Sequence, residues 1–262
     1  MQVAANLGFL FTDRPWTERP AAAAAAGLHA VEFPWPPDPA PLATAVAAAG
    51  VGVALVNMPA GDLAAGERGH GNDPARVEQW RGDFERALAY ASGISRQAPP
   101  LVNVLAGNRR PGLPVEAQRE CLVDNLRWAA PRAAAAGTRL VVEPINSLDI
   151  PEYLCPRTAD VTEVLDQVGE PGIGVQLDTY HCAAMGEDPA ATVAALGPRL
   201  GHVQLADHPG RHEPGSGDLD IAAILATLRD SGYAGSLGLE YVPLLQSAAS
   251  VTEVIDRWGN AT

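Results

Sequence analysis

Short apolar runs rich in valine, leucine and isoleucine alternate with longer alanine- and leucine-rich segments almost from end to end of the chain. The apolar runs predict strands near residues 3–7, 30–33, 52–57, 101–106, 139–143, 174–178, 202–206 and 236–241. Between them, segments such as ARVEQWRGDFERALAYA from Ala75 and VEAQRECLVDNLRWAA from Val115 repeat their apolar positions with helical period. The run Ala21 to Ala26 is a helix built from the best helix former. In RTADVTEVLDQVG, Thr158 is the expected N-cap and Gly169 the expected stop. The prolines at 34, 36, 37, 39 and 41 are read as one loop between the second strand and its helix, too short for an interdomain linker.

Strand followed by helix, repeated, implies parallel strands joined by right-handed crossovers. Eight such repeats in 262 residues meet the requirement of a closed (β/α)8 TIM barrel, a single domain over residues 1–262. An open doubly wound sheet is the alternative, but no G-x-G-x-x-G follows the first strand.

A second regularity lies inside the first. Four strands of the second half end alike, in VVEPIN, VQLDTYH, HVQLAD and LGLEYVP, which carry Glu143, Asp178, Gln204 and Glu240. Alternation along a strand puts Glu143 in phase with Val141, Asp178 with Gln176, Gln204 with His202, and Glu240 with Gly238. The opposite phase is aliphatic and must meet the helices. The four polar side chains therefore point into the barrel at its carboxyl end, where barrel active sites are built. Any one acid at a strand end is as readily a loop-facing or capping residue; the case rests on four in phase. Three carboxylates converging with one amide repel one another unless a cation joins them, and an all-oxygen set suits Mg²⁺ or Mn²⁺ rather than zinc.

Composition narrows the chemistry. The net charge of −13 and pI near 4.8 disfavour nucleic acid and anionic lipid as partners. All 18 basic residues are arginine, which excludes Schiff-base lysine chemistry, a lysine-bound pyridoxal phosphate and a Walker-type phosphate loop. Cys121, Cys155 and Cys182 are odd in number and scattered, so neither a disulfide framework nor a zinc ribbon is expected. The opening residues lack a basic n-region, and no apolar run reaches the length of a membrane span. The expectation is a soluble, cytoplasmic protein acting on a small molecule, with no nucleic acid or membrane partner; its assembly, a homo-oligomer included, stays open.

The chain resembles the hydroxypyruvate isomerases of the xylose-isomerase-like barrel superfamily. The matching phrases run through nearly its whole length: AANLGFLF, AVEF, NMPAGDLAAGERG from Asn57, EPINSLDIP from Glu143, QLDTYH from Gln176, GHVQLAD from Gly201, EPGSGDLD from Glu213 and LEYVP from Leu239. The segment SGISRQAPP from Ser92 departs from the family in lacking a leucine-glycine before the fourth strand. The resemblance implies interconversion of hydroxypyruvate and tartronate semialdehyde without an organic cofactor. It matches Glu143, Asp178, Gln204 and Glu240 to metal ligands, and Glu143 and Glu240 to the acid/base pair. Related activities of the superfamily, such as a 2-oxo-tetronate isomerase or a ketose epimerase, would share these residues, and a metal-dependent endonuclease or a noncatalytic binding barrel stands further off.

The chemistry is consistent with the residues themselves. Moving a carbonyl to the neighbouring carbon takes a proton from one carbon and returns it to the next through an enediolate, which a divalent cation stabilises and two carboxylates serve. A substrate carboxylate calls for a guanidinium, and Arg68 in GERGHG and Arg211 in DHPGRHEPGSG follow barrel strands on the expected face. The glycines around Arg68 suggest a mobile lid. His181 is placed to bond a ligand carboxylate or substrate, and His202, one inward step below Gln204, reads as a supporting or core histidine. Glu32 is read either as a substrate contact or as the partner of an arginine, and Trp35 as a pocket wall or packing. Cys182 beside His181 makes a poor nucleophile pair, because adjacent residues point apart.

Overall fold

The structure is a computed structural model and describes residues 1–95 and 98–259; Arg96 and Gln97 of the SGISRQAPP segment lie outside the described residues. Eight strands close a parallel barrel in sequence order: β1 (Gln2–Asn6), β2 (Ala30–Phe33), β3 (Gly52–Asn57), β4 (Leu101–Val104), β5 (Leu140–Val142), β6 (Ile173–Asp178), β7 (Leu200–Leu205) and β8 (Ser236–Leu239). The order is the expected one, with β8 returning to pair with β1. Around it lie α1 (Arg19–Ala25), α2 (Pro39–Ala49), α3 (Val77–Ile94), α4 (Val115–Ala135), α5 (Thr158–Val168), α6 (Thr179–Ala184), α7 (Pro189–Leu196), α8 (Ile221–Asp230) and α9 (Ser247–Trp258). None of the described helices is long and apolar enough to cross a membrane.

The aliphatic phase of each strand does meet the helices: Leu140, Val142, Val175, Leu177, Val203, Leu205, Leu237 and Leu239 all belong to the buried core between strands and helices. The other phase fills the barrel, and it is cramped. A Cβ on Gly238 would sit 2.4 Å from both carboxylate oxygens of Glu32. Here glycine is required because a buried carboxylate occupies the space a side chain would take.

Local expectations were corrected at three points. The N-cap of α5 is Arg157, whose backbone N–H donates to Asp160 Oδ2 at 3.0 Å, while the Thr158 hydroxyl donates to Glu187 Oε2 at 2.7 Å. The proline-rich stretch is not all loop, since Pro39 and Pro41 open α2, where a missing N–H leaves no helical bond unmade. β5 and β8 stop at Val142 and Leu239, so Glu143 and Glu240 are the first residues beyond the strands, whereas Asp178 ends β6 and Gln204 lies within β7.

Candidate active site

Register brings the four strand ends together. Asp178 lies opposite Gln204 across the β6–β7 pair, and Gln204 opposite Gly238 across β7–β8. Glu143, Asp178 and Gln204 are buried, and Glu240 is largely so. Glu143 and Glu240 border a cavity of about 490 Å³ at the carboxyl end of the barrel, walled on its apolar side by Phe9, Trp35 and Ile145. Trp35 also packs edge-on against Tyr90, centroids 5.4 Å apart, so it is both wall and packing.

Arg211 stands at the centre of the charge balance. Its Nη2 donates to Asp178 Oδ2 at 2.7 Å and to Glu240 Oε1 at 2.6 Å, and its guanidinium lies over the Phe9 ring at 4.5 Å. Burial works against its charge, but Asp178 and Glu240 outweigh burial and raise its pKa. Its Nε is buried without a partner. Arg211 also holds a left-handed backbone at φ 56°, unusual for a side chain of this size, with its N–H and C=O tied to Asp207 and Val242.

One guanidinium does not balance three buried carboxylates. Burial, and then the neighbouring charge of Asp178, pushes the Glu143 carboxyl up to about 8. Burial also raises Glu240 well above the usual carboxylate range, against the pull of Arg211. Each of these two glutamates has a side-chain amide donor: Asn103 Nδ2 reaches Glu143 Oε2 at 3.0 Å, and Asn6 Nδ2 reaches Glu240 Oε2 at 2.5 Å.

Gln204 is turned with its nitrogen toward the acids. Its Nε2 donates to Glu32 Oε1 at 2.7 Å and to Glu240, while its Oε1 accepts from Gln176 Nε2 at 2.7 Å. Glu32 has neither of its expected partners. It is fully buried below the cavity and accepts from Asn6, Gln204 and His202, the last at 2.6 Å. His202 is thus a core histidine that holds the floor of the site.

His181 closes on the acids more tightly than its sequence position suggested. One atom each from Glu143, Asp178 and His181 lie within 4.8 Å of one another, the geometry in which a metal ion can be held. His181 Nε2 is 3.6 Å from Asp178 Oδ2 and 4.0 Å from Glu143 Oε1, and burial lowers its pKa to about 4, so the ring is neutral at physiological pH. Arg68 borders the same cavity, but its guanidinium bonds the carbonyls of Glu67 and Leu63 in its own loop. In that loop Glu67 pairs with Arg76 at 2.5 Å, and Asn108 Nδ2 donates to the Gly66 carbonyl at 2.8 Å. Cys182 is buried, with its thiol pushed up to about 12 by desolvation, in keeping with an inert side chain.

Asn6, Asn103, Asn146 and Gln176 did not emerge from the sequence as site residues. Asn6 and Asn103 are polar positions in otherwise apolar strands, a signal that was there to be used, and Gln176 shares its phase with Asp178. Asn146 carries no such signal.

A closed parallel barrel with Glu143, Asp178 and Glu240 converging at the carboxyl ends of β5, β6 and β8 defines the class of barrel in which a polar site caps the carboxyl ends of the strands. The family model for xylose isomerase-like TIM barrels matches residues 20–258, and the chain belongs to that family. A 2-oxo-tetronate isomerase of Cupriavidus necator is 37% identical over 95% of both chains, and the hydroxypyruvate isomerase of Escherichia coli is 34% identical over 98% of both. The crystal structure of a Brucella melitensis protein described as an AP endonuclease of family 2 is similar with a TM-score of 0.90 and 32% identity, over 99% of this chain and 98% of that one.

Proposed function

We propose that the protein is a divalent-metal-dependent isomerase of short 2-oxo acids that interconverts hydroxypyruvate and tartronate semialdehyde, with 2-oxo-tetronate as the alternative substrate. The observation that carries this reading is the clustering of Glu143, Asp178 and Glu240, the last two bonded to Arg211, at a cavity that Glu143, Glu240 and Arg211 line. The relatives named as isomerases support it.

The residues fit a hard cation. Carboxylate oxygens of Glu143, Asp178 and Glu240 and the amide oxygen of Gln204 are the ligands this reading assigns to Mg²⁺ or Mn²⁺, with the Gln204 amide turned from its metal-free orientation. When bound, the metal supplies Lewis-acid stabilisation for charge developing on the substrate's adjacent oxygens. Arg211 then has less carboxylate to neutralise, and its unpartnered Nε is available to the substrate carboxylate, with Arg68 as a second donor.

Proton transfer falls to the two glutamates. One removes the proton from C3 of hydroxypyruvate, leaving an enediolate, and the other returns a proton to C2, while the hydroxyl proton passes from the C3 oxygen to the C2 oxygen. A carboxyl group held near 8 is matched to this task, because it takes up and releases protons near neutral pH. The same residues serve a four-carbon substrate, and the cavity has room for one.

An endonuclease reading is disfavoured by the net charge of −13, which opposes a polyanionic substrate, and by the single histidine in the candidate metal cluster. The deciding experiment is turnover of hydroxypyruvate and 2-oxo-tetronate by the purified chain with chelator and with Mg²⁺ or Mn²⁺ restored. No isomerisation of either substrate in any condition refutes the reading. Run in heavy water, the reaction is expected to deposit deuterium at C2, and its absence counts against proton transfer and for a hydride shift.

A further inference from the structure

The tautomer of His181 is written into its surroundings. Asn146 is fully buried. Its Oδ1 accepts from the backbone N–H groups of Leu148 at 3.0 Å and Asp149 at 2.8 Å. Backbone N–H groups only donate, so the oxygen must lie at that end of the amide and the nitrogen at the other. That nitrogen donates to Asp149 Oδ2 at 3.0 Å and lies 2.6 Å from His181 Nδ1. An amide nitrogen also only donates, so Nδ1 must present its lone pair, and a neutral ring then carries its proton on Nε2.

We infer that Asn146 is a positioning residue that holds His181 as the Nε2–H tautomer, so that His181 meets the site as a hydrogen-bond donor and neither as a metal ligand nor as a base. The inference rests on the isomerase reading for its purpose but on hydrogen-bond geometry for its content. The proton on Nε2 occupies the lone pair a metal would need, so of the three groups within 4.8 Å of one another only the two carboxylates are left to bind a cation. The Nε2–H faces Asp178 Oδ2 at 3.6 Å and Glu143 Oε1 at 4.0 Å, both too long for a hydrogen bond. It is therefore a donor still to be used, buried beside the acid/base carboxylate. A neutral imidazole N–H in that position donates to the substrate oxygen on which negative charge develops, and it has no dissociable positive charge to lose during the reaction.

The test is long-range proton–nitrogen NMR on the histidine-labelled full chain, metal-free and then with Mg²⁺, which is diamagnetic. Wild-type His181 is expected as the Nε2–H tautomer in both states. An Nδ1–H tautomer overturns the inference, and so does loss of the Nε2 proton when Mg²⁺ binds, because that would make the ring a ligand. Asn146→Asp keeps the oxygen that the two backbone N–H groups require but replaces the donor with an acceptor. It is expected to put a proton on Nδ1 and to lower kcat about 100-fold. Asn146→Asp with the ring still protonated on Nε2 alone overturns the role given to Asn146. If the wild-type tautomer and its change in Asn146→Asp are as expected but wild-type protein turns over neither substrate, the isomerase reading fails and the tautomer assignment stands.

Discussion

Replacing Arg211 by methionine removes the guanidinium while its aliphatic stem still packs against Phe9. In the metal-free protein this leaves Asp178 and Glu240 without the cation that now bonds them at 2.7 and 2.6 Å. The side chains of the three residues are only 16%, 0% and 13% exposed, so solvent does little to screen the pair. Breaking a buried pair by deleting one partner costs about 3–5 kcal/mol, because a buried charge is left uncompensated. In a domain of this size each kcal/mol is worth roughly 2–4 °C, so the metal-free variant is expected to melt about 6–20 °C below wild type near neutral pH.

Two dependences identify the cause. The deficit shrinks toward pH 5, because Glu240, whose pKa burial raises, takes up a proton in place of the ion pair. It also shrinks on adding Mn²⁺, which stabilises the variant more than the wild type because the carboxylates no longer have an internal cation. The assay is thermal unfolding with chelator and with Mn²⁺ at both pH values. A metal-free deficit below about 2 °C at neutral pH would refute the charge balance described for this site.

Metal affinity is expected to rise with pH between about 6 and 8 and then level off, since ligation requires the Glu143 proton, held with a pKa near 8, to leave. Calorimetry with Mn²⁺ across that range checks this, and a flat profile contradicts it. For the metal-free protein the sign is opposite. A folded pKa raised from 4.5 to about 8 contributes stability that is fully present below about 4.5 and is lost as pH rises through 8, which denaturant unfolding against pH reports. Gly238→Ala is expected to destabilise by about 1–3 kcal/mol, because the new methyl meets the Glu32 carboxylate. Gly82→Ala, in α3 with open space around the added carbon, is expected to stabilise by up to about 1 kcal/mol, and urea unfolding of both variants compares them directly.

The barrel and the metal-ligand candidates were legible in the chain for one physical reason. Residues two apart on a strand share a face, so an aliphatic phase next to a polar one at Glu143, Asp178, Gln204 and Glu240 already declares which side chains meet the helices and which meet each other. The absence of lysine and the acid excess narrowed the chemistry in the same direct way.

What lies beyond periodicity was decided only by the tertiary structure. Arg211 joins Asp178 to Glu240 because the loop after β7 folds back over the barrel mouth, and nothing in DHPGRHEPGSG specifies that return. Asn146 turns the chain out of β5, its Oδ1 accepting from the N–H groups of Leu148 and Asp149. It also reaches His181, 35 positions away, because α6 begins directly at the end of β6 and carries the ring across to it. Glu32 lost its expected arginine for the same kind of reason: closing the barrel sets β2 across from β7, and His202 and Gln204 reach it first. Strand phase is a local property of the backbone, whereas the partner a buried polar group finds depends on which distant loops and strands closure brings within about 3 Å of it.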